Sequence, residues 1–109
     1  MRVFINGFGR IGRSVLRAAM LGASPGVQIA GINDIADAEM CAYLFEFDSI
    51  YGPWHGTVAL TQGALVVNGQ AIPLHRTPDI STLDLAQVDV VLECTGRADT
   101  RAVAARGLQ

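Results

Sequence analysis

The sequence contains no lysine: all eight basic residues among its 109 are arginine. That excludes a Schiff-base lysine and the lysine of a phosphate-binding P-loop. Cysteine is scarce as well. Cys41 and Cys94 stand 53 positions apart, and two such residues make neither a disulfide framework nor a metal knuckle. No metal site is expected. Charged residues are few, at 17%, and nearly balanced at a net charge of −2, which leaves no electrostatic footprint for nucleic acid or an anionic membrane. No run approaches the roughly 18 apolar residues of a membrane-spanning helix. Met1-Arg2-Val3-Phe4-Ile5-Asn6-Gly7 carries one charge and a short apolar run, and glycines follow where a signal peptide would hold its cleavage site. Repeats, low-complexity tracts and linker-like shifts are absent. What is present is apolar substance: half the residues, enough for the core of one domain. A soluble cytoplasmic domain is the expectation.

The first unit is the clearest. Arg2 to Asn6 is a short β-branched and aromatic run, hence a strand. A tight turn follows over Gly7 to Gly12. Ile11, Val15, Leu16, Ala19 and Met20 then recur at helical spacing, so a helix runs from about Arg10 to Leu21, ended by Gly22 and Pro25. Val27 to Asn33 is mostly apolar, as a strand covered on both faces should be. Strand–helix–strand predicts a parallel pair with a right-handed crossover. A second helix follows, with Asp37 as N-cap, Met40 at its third position, and Met40, Leu44 and Phe47 as its core face. Tyr51-Gly52-Pro53-Trp54 reads as a loop, with Trp54 a packing anchor. Three strand-like runs come next, Gly56 to Thr61, Ala64 to Asn68 and Ala71 to His75, parted by Gln62-Gly63 and Asn68-Gly69. Val88 to Cys94 is another buried parallel strand, and Asp99 to Arg106 a last helix capped by Gly107. The expected fold is α/β: a Rossmann-type parallel sheet with an inserted antiparallel β-meander.

Gly7-Phe8-Gly9-Arg10-Ile11-Gly12 fits G-x-G-x-x-G. The pattern is weak alone, but here it follows a strand, opens a helix and sits in a βαβ unit. Gly7 permits the sharp turn, Gly9 lets a pyrophosphate approach the backbone, and Gly12 lets helix and strand pack closely. Free N–H groups at the helix start, with the helix dipole behind them, hold phosphate charge. The second strand ends in Asn33-Asp34, with the acid 22 residues after Gly12. An acid there accepts hydrogen bonds from adenosine ribose hydroxyls and repels a 2′-phosphate, which favours NAD over NADP. A lone acid could equally cap the next turn. Strand, glycines and acid together favour the sugar.

At this point a resemblance is visible. Ile5-Asn6-Gly7-Phe8-Gly9-Arg10-Ile11-Gly12-Arg13 resembles the N-terminal signature of the glyceraldehyde-3-phosphate dehydrogenase family. Ile32-Asn33-Asp34, Phe47-Asp48-Ser49-Ile50-Tyr51-Gly52, His55-Gly56-Thr57-Val58, Val67-Asn68-Gly69 and Val90-Val91-Leu92-Glu93-Cys94-Thr95-Gly96 resemble its later segments, in order and spacing. The resemblance implies an enzyme that oxidises an aldehyde to an acyl phosphate with NAD and inorganic phosphate, cytoplasmic and glycolytic, a homotetramer in the family. It implies that Asn6, Phe8, Gly9, Arg10 and Ile11 border the pyrophosphate, that Asn33 and Asp34 face the adenosine, and that Thr95 and Gly96 lie near the adenine or the pyrophosphate edge. Arg76 matches, across a deletion, a family arginine near the adenine.

Departures from the family carry consequences. Ala98 stands where the family places an aromatic beside the adenine, and Ile35 stands where NADP-using members carry a small hydroxyl residue. The family's nucleophilic cysteine, in Ser-Cys-Thr-Thr-Asn-Cys, and its partner histidine do not occur in this sequence. Residues 1–109 are therefore expected to be a partial NAD-binding domain without a catalytic domain, catalytic residues or activity of its own. Cys94, beside Glu93, lacks the electropositive setting that activates a thiol, and Cys41 is a second packing cysteine. His55 and His75 have no acid at a meaningful spacing. Arg97, Arg101 and Arg106 read as a solvated terminal face. Three alternatives stay open: an erythrose-4-phosphate dehydrogenase, whose N-terminal half is similar; a non-catalytic NAD-binding or interaction module; and a fragment whose open sheet edge self-associates.

Overall fold

The computed structural model describes residues 1–22, 25–48 and 51–95. Strand β1 (Arg2–Asn6), helix α1 (Arg10–Met20) and strand β2 (Gln28–Asn33) form the first unit, and β1 and β2 pair in parallel from Arg2↔Gln28 to Asn6↔Asn33. Close approach of α1 depends on Gly12, where a Cβ would collide with the Gly7 carbonyl oxygen. Beyond α1, Gly22 takes a positive φ of 74°, as expected of a glycine that ends a helix.

Helix α2 (Ala38–Glu46) starts at Asp37, whose carboxylate accepts from the Met40 N–H at 2.7 Å. The expected core stripe on this helix is corrected. Met40 and Phe47 are about half exposed, whereas Cys41 and Phe45 are buried. The reason is aromatic. Phe45 lies between Phe8 and Trp54, with ring centroids 6.1 and 5.2 Å away, and this stack turns the helix by one position. Phe47 has already left helical geometry, so helical spacing misplaces it. It opens the two-residue strand β3 (Phe47–Asp48), which pairs with β4 (Gly52–Pro53) where only a loop was expected.

Strands β5 (Val58–Thr61), β6 (Ala64–Val67) and β7 (Gln70–His75) form the meander. Val67 and Gln70 flank a two-residue turn in which Asn68 and Gly69 both have positive φ, 52° and 81°. A one-turn helix at Ile80–Thr82, absent from the sequence reading, leads to β8 (Val90–Glu93). The strand order is β5-β6-β7-β2-β1-β8. Because β7 pairs in parallel with β2, the meander extends the parallel sheet rather than standing apart from it. Alternation along β1 divides the core between two faces. Val3 and Ile5 join Leu16, Ile32, Phe45 and Leu65, while Phe4 joins Ile80 and Val91. The sheet is Rossmann-type. The expected last helix, Asp99 to Arg106 with Gly107, lies outside the described residues, as do Ala98 and Arg97, Arg101 and Arg106.

Candidate dinucleotide-binding site

Three neighbouring parallel strands end level with one another in polar residues, through the pairs Asn6↔Asn33 and Asn6↔Glu93. The glycine loop leaves β1 at that edge. Gly7 has a φ of +102°, and a Cβ on it would lie 2.6 Å from the Thr95 nitrogen, so both conformation and space require glycine. Gly9 is different. The nearest atom to a Cβ there is the Cys94 carbonyl oxygen at 3.9 Å, an ordinary contact. Among the described residues, packing therefore does not demand glycine at position 9. α1 begins at Gly9 with no side-chain cap and no acid in its first turn. Among the described residues no side chain caps its leading N–H groups, and the dipole adds positive potential there. Arg13 ties helix to loop, its Nη1 donating to the Phe8 carbonyl at 3.1 Å.

Asp34 faces this loop. Its Oδ2 accepts from the Phe8 N–H at 2.6 Å and its Oδ1 from the Ala36 N–H at 2.8 Å. The acid does cap the following turn, and it also grips the glycine loop. A carboxylate has about four lone-pair positions, and these two bonds use half of them. Arg76 closes the same side, donating from Nε to the Ile35 carbonyl at 2.8 Å.

Arg10 and Ile11 are exposed at the helix start. Phe8 contributes only backbone, for its side chain is 2% exposed in the core. Asn6 and Asn33 are buried beneath the crevice, their amides committed to internal hydrogen bonds. The Asn33 amide is engaged by Asn6 and by the Thr77 backbone. Thr95 is exposed at the crevice edge, and Gly96 lies outside the described residues. Thr77 and Glu93, which no sequence motif singles out as site residues, hydrogen-bond to Asn33 and Asn6 at this edge. Their only signal was position, one just beyond β7 and the other at the end of β8.

Neither cysteine is poised to react. Burial, then the Asp34 and Asp37 carboxylates, pushes the Cys41 thiol up to about 11, against the opposing pull of Arg13 and Arg76. Burial and the adjacent Glu93 raise Cys94. Trp54 is the packing anchor expected, its Nε1 donating to Asn68 Oδ1 at 3.2 Å.

Comparison with known proteins agrees with this geometry. Residues 1–101 match the family model described as glyceraldehyde 3-phosphate dehydrogenase, NAD binding domain. Glyceraldehyde-3-phosphate dehydrogenase of Bacteroides fragilis is 49% identical over 98 residues, covering 88% of this chain and 29% of that protein. The cytosolic enzyme of Leishmania mexicana is also 49% identical, with the same coverage. Glyceraldehyde-3-phosphate dehydrogenase 1 of Bacillus subtilis is 40% identical over all of this chain and 32% of its own length. The chain thus spans about a third or less of the relatives it matches. With strand, glycine loop, uncapped helix and acid in these positions, the chain belongs to the glyceraldehyde-3-phosphate dehydrogenase family and corresponds to its NAD-binding domain.

Proposed function

We propose that this chain holds the adenosine and pyrophosphate part of NAD for a phosphorylating aldehyde dehydrogenase, which converts aldehyde, NAD and phosphate to acyl phosphate and NADH. The observation that carries this is the Asp34 carboxylate hydrogen-bonded to the Phe8 N–H, beside a helix start that no side chain caps among the described residues. Gly9 and the N–H groups of Arg10 and Ile11 would hold the NAD pyrophosphate. Asp34 would accept hydrogen bonds from the ribose hydroxyls. Arg76 and Thr95 would flank the base, and the family resemblance assigns Gly96, which lies outside the described residues, to the same contact. Bound NAD supplies the hydride acceptor. The contribution of this chain is to bind and orient it.

The family's nucleophilic cysteine segment does not occur in residues 1–109, and Cys94 and Cys41 have raised thiols, so the chain by itself turns nothing over. The whole protein is a cytoplasmic homo-oligomer with glyceraldehyde-3-phosphate as substrate, a reading supported by the names of its relatives and by the family resemblance. Calorimetric titration is the test. NAD binds, and its 2′-phosphorylated form binds at least about tenfold more weakly, as like charge at Asp34 requires. Equal affinity for the two would remove Asp34 from the site. Aldehyde, NAD and phosphate together give no NADH above blank, and a rate abolished by Cys94→Ser would overturn the assignment.

A further inference from the structure

Beneath the proposed crevice a line of side-chain hydrogen bonds crosses the sheet, and its direction is set at one end by the backbone. Asn33 Oδ1 accepts from the Thr77 N–H at 2.9 Å, and its Nδ2 donates to the Thr77 carbonyl at 2.9 Å. A backbone carbonyl only accepts, so the Asn33 amide has one possible orientation. Its Nδ2 also donates to Asn6 Oδ1 at 2.9 Å. Asn6 must then present Nδ2 to its other neighbour, and it donates to Glu93 Oε2 at 2.8 Å. On the far side, Glu93 Oε1 accepts from the Thr95 N–H at 2.8 Å and also pairs with the Thr95 hydroxyl. Position 93 therefore faces donors on both sides. Only a carboxylate, an acceptor at both oxygens, satisfies them.

We infer that the Asn33–Asn6–Glu93 ladder is the positioning device of the cofactor crevice, tying the Thr77 rim to the Thr95 rim, with Glu93 as its obligatory acceptor. The inference rests on the NAD-site reading above. Its mechanical basis is direct. The Thr95 nitrogen sits 2.6 Å from where a Gly7 Cβ would be, so holding Thr95 holds the wall of the glycine loop. Thr77 follows Arg76, so the other end of the ladder sets the rim that closes over Ile35. Glu93 is thereby a positioning residue that need not touch the cofactor. Asn6 and Asn33 are 9% and 3% exposed, so water cannot readily replace a lost partner.

The test exploits the direction of the bonds. Glu93→Gln puts an amide N–H₂ against either Asn6 Nδ2 or the Thr95 N–H and breaks the ladder. Adding Asn6→Asp restores it. The carboxylate introduced at position 6 accepts from Asn33 and from the amide introduced at position 93, whose carbonyl oxygen accepts from Thr95, and the net charge is unchanged. Three proteins are compared by NAD calorimetry and by amide hydrogen exchange without cofactor: wild type, E93Q and N6D/E93Q. E93Q binds NAD about tenfold more weakly and exchanges its Thr95 amide about tenfold faster, while the double variant returns within about threefold on both counts. Unchanged binding and exchange in E93Q overturn the inference. So does a double variant no better than E93Q. Should E93Q fail to fold, the double variant against wild type decides by the same threefold margin. A wild type that does not bind NAD fails the site reading instead, and the Thr95 exchange rates then still decide whether Glu93 pins that residue.

Discussion

Asp34 Oδ2 and the backbone nitrogen of Phe8 are 2.6 Å apart across 26 residues of sequence, joining the end of β2 to the glycine loop of β1. A charge-assisted bond of this kind is short and strong. It couples the Asp34 carboxylate directly to the glycine loop.

Asp34→Ala therefore removes the ribose acceptors and loosens the loop together. NAD binding falls by about 1–3 kcal/mol, the range for hydrogen bonds lost to a charged group. Calorimetry checks it, and unchanged affinity would exclude the acid from the site.

The loop glycines separate by role. Gly9→Ala lowers stability by no more than about 1 kcal/mol, the difference between glycine and alanine at an N-cap, because among the described residues its Cβ meets nothing closer than 3.9 Å. NAD affinity nonetheless drops. Gly7→Ala costs about 1–3 kcal/mol from its φ of +102° alone, before the contact with Thr95 is counted. Thermal melts beside titrations distinguish the two, and a Gly9→Ala protein with full affinity would show that no ligand uses that space.

On α2 the buried and exposed aromatics should differ sharply. Phe45→Ala empties the space between Phe8 and Trp54 and costs about 3–5 kcal/mol. Met40→Gln, at a half-exposed site, changes stability by no more than about 0.5 kcal/mol. Urea midpoints in the reverse order would contradict the one-position turn of this helix.

The thiols give a pH signature. Cys41 is raised from 9.0 to about 11, so in the folded protein it keeps its proton where the unfolded chain has lost it. Its contribution to stability is complete below pH 9 and is lost as pH rises towards 11. Cys41→Ala flattens that alkaline limb in melts recorded from pH 8 upward. At neutral pH the native thiols react slowly with a disulfide reagent, and a fast native phase would mean an activated cysteine.

Much of this protein is legible in its sequence. Local chemistry suffices for the β1–α1–β2 unit, the Asp37 cap and the Asn68-Gly69 turn, because each depends on residues a few positions apart. Gly7, Gly12 and Asp34 are recognisable for the same reason: spacing along the chain decides whether the turn can form and whether an acid arrives at its lip. Tertiary contact decided the rest. The aromatic stack chose Phe45 over Met40 and Phe47, β7 joined the meander to the parallel sheet, and the alignment of three strand ends made one ladder of Asn33, Asn6 and Glu93. A linear pattern records which groups can donate or accept. Which of them meet is determined only when strands from distant parts of the chain lie side by side.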